Sequence, residues 1–134
     1  MDSRDTRRPR VLVVEDSTTM RAFVTAALEA DGRFDVTTAG SGFEALKLLP
    51  RERFDLFITD INMPDINGLE LIKFIRDSAV HAKVPLLIIS TDGTERDRDR
   101  GLKLGANGYL VKPFPPEQLI ETARRILDAP VPTP

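Results

Sequence analysis

Five short apolar runs, each followed by a stretch with helical spacing, constrain this chain more than any other feature. They are Arg10–Glu15 (RVLVVE), Phe34–Thr38 (FDVTT), Asp55–Thr59 (DLFIT), Val84–Ser90 (VPLLIIS) and Gly108–Val111 (GYLV). The first, third and fourth are nearly unbroken, as strands are when helices cover both of their faces. Between the first two runs, Met20, Phe23, Val24, Ala27 and Leu28 recur at helical spacing and Gly32 supplies a stop. Ser41-Gly42-Phe43-Glu44 reads as a capping box ahead of Ala45, Leu46, Leu48 and Leu49. After the turn-rich Asn62–Gly68, Leu71, Ile72 and Ile75 share one face, and Pro115-Pro116 opens a last helix carrying Leu119, Ile120, Ala123, Ile126 and Leu127. Thr94–Leu104 differs: its charge run Glu95–Arg100 leaves few apolar anchors and glycines stand at 101 and 105, which predicts a weakly held helix. Alternation with short connections demands parallel strands and right-handed crossovers, with helices on both faces of one sheet. The expected fold is therefore α/β, a single doubly wound five-stranded sheet with five helices.

A length of 134 residues suits one core. That core is expected over 10–128, between a disordered N-terminal arm, 1–9, and a disordered tail, 129–134, which has three prolines in six residues. Nineteen Lys and Arg against 21 Asp and Glu give a net charge of -2, so no basic field exists to bind nucleic acid or anionic lipid. The polar, Arg-rich Met1–Arg10 has no apolar core of a leader, and no later run approaches a membrane span. The absence of cysteine excludes disulfides, thiolate zinc sites and cysteine nucleophiles, and points to the cytoplasm.

In such a sheet, chemistry gathers beyond the carboxyl ends of the strands. Those ends carry Glu15-Asp16, Asp60, Ser90-Thr91 and Lys112-Pro113. Three clustered carboxylates resist ionisation unless a cation joins them, and an all-oxygen set with few protein ligands favours Mg²⁺. Lys112 beside Asp60 suits a phosphoryl oxygen. No Gly-x-x-x-x-Gly-Lys-Ser/Thr loop is present, so a carboxylate nucleophile forming an acyl phosphate is the simpler reading. Each residue alone has a plainer explanation. Glu15-Asp16 suits a helix N-terminus, Ser90 a strand-end cap and Tyr109 an amphipathic edge. His81, in a polar connection, reads as a solvated loop residue without a role. Glu95–Arg100 reads as a solvated helix face with i,i+4 ion pairs.

Four ordered motifs carry a resemblance: Val11–Asp16 with Ser17-Thr18-Thr19-Met20-Arg21, Phe57–Pro64 around Asp60, Gly68-Leu69-Glu70, and Gly108–Phe114. Over residues 10 to 128 the chain resembles the receiver domain of bacterial response regulators, and within that family it is most similar to the single-domain chemotaxis regulators. The resemblance implies a flavodoxin-like sheet of order 2-1-3-4-5. It implies that Asp60 is the phosphoacceptor, loaded from a phosphohistidine on a sensor histidine kinase or phosphotransfer domain. Mg²⁺ would be held by Asp16, Asp60 and the main-chain carbonyl of Asn62, with Glu15 acting through water. Ser90 and Lys112 would hold phosphoryl oxygens, Ser90 and Tyr109 would form the switch, and Lys112-Pro113 would be cis. Glu15 stands where the family more often has Asp, Ser90 where Thr is more frequent, and Thr91 is larger than the Ala often found there.

The expected function is a phospho-switch that catalyses only its own phosphorylation and dephosphorylation. Its partner would be an effector such as a flagellar switch component; a phosphate relay or sink, or control of another enzyme, are the alternatives. No DNA-binding helix pair follows Leu127, so output is expected through protein contacts. A haloacid-dehalogenase-like phosphatase would want a second Asp where Asn62 stands, because Asn cannot protonate a leaving group. A flavin carrier would want aromatic residues around a phosphate loop after the first strand, and the chain has no Trp and one Tyr, which belongs to another strand.

Overall fold

The apolar runs become five strands of four or five residues. The structure is a computed structural model described over residues 8–129. Its elements, in chain order, are β1 (Arg10–Val14), α1 (Thr18–Asp31), β2 (Asp35–Ala39), α2 (Gly42–Leu48), β3 (Leu56–Asp60), α3 (Gly68–Asp77), β4 (Leu86–Ser90), α4 (Glu95–Lys103), β5 (Gly108–Val111) and α5 (Pro116–Asp128). All strands pair in parallel in the order β2-β1-β3-β4-β5. The expected doubly wound sheet is thus the observed one. Residues 1–7 and 130–134, most of the arm and tail expected to be disordered, lie outside the described residues. Pro9 belongs to the sheet edge, its carbonyl accepting the Asp35 N–H at 2.9 Å.

Alternation along each central strand divides the core into two layers. Leu12, Val14, Phe57, Leu86 and Ile88 meet Leu71, Ile72 and Ile75 of α3 on one face. Val11, Val13, Leu56, Ile58, Leu87 and Ile89 meet Val24 and Leu28 of α1 and Leu119, Ala123 and Ile126 of α5 on the other. Both faces are covered, so β1, β3 and β4 are buried along almost their whole length, whereas β2 lies at an edge and buries only Ala39. Burying each such Leu, Ile or Val contributes roughly 1.5–3 kcal/mol against the entropy of ordering the chain.

The helix ends follow the sequence signals. Ser17, Ser41, Asn67 and Thr94 each accept a backbone N–H of the first turn, and α1 stops at Gly32, whose φ of 82° is in the left-handed region. The capping box at α2 is displaced by one residue: Glu44 reaches back to the Gly40 N–H and not to that of Ser41. Asp65, from the β3–α3 loop, accepts the N–H groups of Gly42 and Phe43 at 3.2 and 2.9 Å, and the Phe43 bond leads in holding its pKa down to about 2. In α4 the one buried residue is Gly101, and a Cβ there would lie 2.4 Å from Ile88 Cδ1, so the helix backbone rests directly on β4. Its charge run shows Asp97–Arg100 at 4.0 Å with i,i+3 spacing, and no i,i+4 ion pair among the described residues. No helix among them is long and apolar enough to cross a membrane.

His81 corrects the sequence reading. It is fully buried, with Nε2 accepting the Phe54 N–H at 3.3 Å and the ring edge-on to Phe57 at a centroid distance of 5.4 Å. The turn after α3 folds back under the two phenylalanines, which a polar local sequence does not reveal. Accepting from Phe54 requires an unprotonated Nε2, and burial pushes the His81 pKa below its ordinary value. The unfolded chain therefore binds this proton more readily. The stability from a neutral His81 is complete above pH of about 6.5 and is lost as pH falls, at up to about 1.4 kcal/mol per pH unit. In urea unfolding between pH 7.5 and 5.5, the wild type should lose stability relative to His81→Gln; parallel courses would show that His81 titrates alike in both states.

Candidate functional site

The chain leaves β1 for β2 on one side and then crosses to β3 on the other, so the loops after β1 and β3 diverge and open a crevice at the carboxyl edge. Glu15 follows Val14, whose register partner is Thr59, which brings Glu15 level with Asp60. Asp60 pairs with Ile89, the neighbour of Ser90, and Ser90 with Val111, the neighbour of Lys112. Parallel register alone therefore lines up the four residues. Ligand oxygens of Glu15, Asp16 and Asp60 all lie within 4.8 Å of one another.

Lys112 holds the cluster together. Its Nζ donates to Glu15 Oε1 at 2.6 Å and to Asp60 Oδ2 at 3.0 Å, all three side chains being at least nine-tenths buried. The sequence places Lys112 beside Asp60; the structure gives Glu15 the shorter contact. Glu15 is held at several points: its N–H donates to the Ala39 carbonyl at 3.0 Å, and Oε2 accepts the Ser17 N–H at 3.1 Å. Its carbonyl accepts from Arg21 Nη1 at 2.9 Å. Asp60 Oδ1 accepts the Ile61 N–H at 2.7 Å, with the Asn62 N–H at 3.4 Å. Burial pushes the Glu15 pKa up, with the Lys112 and Ser17 hydrogen bonds pulling it partly back. For Lys112, burial acts downward but the bonds and charges of Glu15 and Asp60 outweigh it, so the pKa rises and the ammonium stays charged.

One ammonium cannot neutralise three carboxylates. Asp16 is exposed at the crevice mouth, and the remaining oxygens form a compact all-oxygen set, a donor chemistry that fits Mg²⁺ with its preference for carboxylates and retained waters. Asn62 and Thr91 are also exposed at this edge. Ser90 is buried; its Oγ accepts the Asp92 N–H at 3.1 Å, which leaves the hydroxyl proton free to donate. The Asp92 carbonyl accepts the Tyr109 hydroxyl at 2.6 Å, so Asp92 joins Ser90 to Tyr109. The Lys112-Pro113 bond is cis, as the resemblance suggested.

Three neighbours escaped the sequence reading. In sequence Arg21 is one member of a motif, Asp92 carries no signal beyond standing two residues after a strand-end serine, and Arg98 is one of six consecutive charges. Beneath the site, Gly68 donates to the Ile61 carbonyl at 2.7 Å, and a Cβ there would fall 2.2 Å from the Asp60 carbonyl oxygen.

With the geometry in place, comparison with known proteins gives a consistent result. Residues 11–124 match the family model described as the response regulator receiver domain. A chemotaxis protein CheY homolog of Campylobacter jejuni is 40% identical over 119 residues, covering 88% of this chain and 92% of that protein. Chemotaxis protein CheY1 of Helicobacter pylori is likewise 40% identical, covering 88% of this chain and 96% of that protein. Among solved structures, the chemotaxis response regulator CheY4 of Vibrio cholerae superposes with a TM-score of 0.84 at 38% identity, covering 90% of this chain and 99% of that one. The receiver domain of sensor histidine kinase PA1611 from Pseudomonas aeruginosa, described with a magnesium ion coordinated in its active-site cleft, gives 0.84 at 27% identity, covering 92% and 100%.

Two outcomes follow from the packing of the site. Lys112→Met leaves Glu15 and Asp60 buried without a cation and should cost about 3–5 kcal/mol, much of it recovered by adding Glu15→Gln. Additive losses in that double-mutant cycle would show that the pair does not interact. Gly68→Ala must push the Asp60–Ile61 backbone aside, so it should destabilise by more than about 2 kcal/mol in chemical denaturation.

Proposed function

Because the chain belongs to the response regulator receiver domain family, we propose that it is a two-component phospho-switch whose Asp60 accepts a phosphoryl group with Mg²⁺. Receiver domains are signalling proteins, not turnover enzymes; the chemistry proposed is confined to this chain's own phosphorylation and dephosphorylation. The donor is a phosphohistidine of a sensor histidine kinase or phosphotransfer domain. The observation that carries the reading is Lys112 bridging Asp60 and Glu15 inside a cluster of three carboxylates. It combines a nucleophile, a fixed cation and an oxygen-rich metal site at one strand edge.

Asp16, Asp60 and the Asn62 carbonyl would hold Mg²⁺, with Glu15 acting through water. When bound, Mg²⁺ neutralises the carboxylates and polarises the phosphoryl group. An Asp60 carboxylate oxygen forms the new P–O bond as the P–N bond of phosphohistidine breaks. Lys112 shifts from the carboxylates toward one phosphoryl oxygen, and the Ser90 hydroxyl donates to another. The added charge of about -1.5 to -2 at Asp60 thereby draws on Ser90. Displacing Ser90 pulls on Asp92, whose carbonyl holds Tyr109, and so alters the surface that a partner reads. An exposed Asn62 offers no general acid, which weighs against a phosphatase acting on small molecules.

The relatives named as chemotaxis proteins support a chemotaxis role; the partner proposed is an effector such as a flagellar switch component, met in the cytoplasm. Incubation with acetyl phosphate and Mg²⁺ should add one phosphoryl group by intact mass, and Asp60→Asn should abolish it. A label persisting in that variant would overturn the site assignment. In EDTA, Asp60→Ala and Asp16→Ala should melt above the wild type through relief of like-charge repulsion. Mg²⁺ should stabilise the wild type more than either variant, and a wild-type melting curve indifferent to Mg²⁺ would remove the metal site.

A further inference from the structure

Tyr109 is held from two directions. Its hydroxyl donates to the Asp92 carbonyl at 2.6 Å, and the Arg98 guanidinium carbon lies 5.7 Å from the ring centroid. The half-buried ring packs against the core layer under α2, α3 and α4. Arg98 comes from α4, the helix whose one buried residue is a glycine, so an arginine occupies the contact that an aliphatic side chain makes in an ordinary amphipathic helix. Among the described residues the ion pair within this helix is Asp97–Arg100, not one involving Arg98.

We propose that Arg98 is a positioning residue for Tyr109, its guanidinium clamping the ring in the seated position before any phosphoryl group arrives. The proposal rests on the receiver reading in taking Tyr109 as the residue that reports the state of Asp60. The charge pattern agrees with it. Burial raises the Tyr109 pKa, with Asp92 and Asp97 adding to the rise while Ser90 and Arg98 oppose it, so the hydroxyl remains a protonated donor to Asp92. A cation over the ring face adds an attraction that is indifferent to phosphorylation. Phosphorylation would then tighten an arrangement already populated, not create it.

The chain has one Tyr and no Trp, so tyrosine emission and the ring signals of tyrosine-labelled protein arise from Tyr109 alone. Full-length wild type, Arg98→Lys, Arg98→Leu and Arg98→Ala are compared by both methods, with and without beryllofluoride and Mg²⁺ as a phosphoryl stand-in. In the wild type the ring starts seated, so beryllofluoride should shift the Tyr109 signals in the same direction as in Arg98→Ala but by a smaller amount. In Arg98→Ala they should move toward those of free tyrosine, the ratio of seated to released ring falling about two- to fivefold, and beryllofluoride should bring them back. Arg98→Lys should keep most of the wild-type signal and Arg98→Leu should not. Unchanged ring signals in Arg98→Ala, or full seating in Arg98→Leu, would overturn the clamp. Backbone amides around Asp60 that ignore beryllofluoride in every variant would instead overturn the receiver reading, while the comparison without beryllofluoride still decides the clamp.

Discussion

One ammonium group between two carboxylates closes this structure. Lys112 reaches Glu15 across 97 residues of sequence and Asp60 across 52. Without it, parallel pairing would bring like charges to one buried edge with nothing to offset them. The ordinary interior of the sheet tolerates this because the apolar rows beneath carry the stability: Val13, Ile58 and Ile89 on one face, Val14, Phe57 and Ile88 on the other. The site is therefore a densely charged polar cap on a conventional apolar base. Exchange of a carboxylate partner for a phosphoryl oxygen is chemically easy for Lys112, since either is an anionic acceptor for the same ammonium.

The fold was legible because its determinants are local and repeated. Unbroken runs such as RVLVVE and LLIIS declare strands covered on both faces, and Gly32, Ser41 and Pro116 mark helix ends by backbone chemistry that holds wherever they occur. The gathering of Glu15, Asp60, Ser90 and Lys112 was also legible, because a parallel sheet brings strand ends to one edge and these residues end their strands. What remained hidden depends on where a chain turns in space. His81 looked polar and proved buried because the α3–β4 connection folds under Phe54 and Phe57. The shorter Lys112 contact went to Glu15, whose extra methylene extends its reach, and neither that nor the Arg21 bond to the Glu15 carbonyl has a pattern in one dimension. Arg98 was masked by its own neighbours, since five other charged residues surround it in Glu95–Arg100.

Helix α4 departs furthest from ordinary packing. An amphipathic helix is fixed by apolar side chains that interlock with those below. Here Gly101 lets the helix backbone touch Ile88, and the rest of the attachment is polar: the Thr94 cap, the Asp92 turn and the arginine over Tyr109. Polar attachments respond to charge, whereas apolar packing does not. An element held in this way, next to a residue that gains a phosphoryl group, lies where an electrostatic event can be turned into a change of surface.

The distance along the chain between Lys112 and its carboxylates also bears on how the protein is made. A ribosome delivers Glu15, Asp16 and Asp60 well before Lys112, and β5 cannot pair with β4 until the chain has grown past residue 111. The emerging β1–β3 unit thus carries an acidic pocket without its cation, and also lacks α5, which covers the face packed by Val11, Val13 and Ile58. Both deficits are repaired by the same late segment. Commitment of the nascent fold is thereby tied to the arrival of the β5–α5 segment, and a chain cut before it lacks both the electrostatic keystone and the five buried residues Leu110, Phe114, Leu119, Ala123 and Ile126 of one core layer.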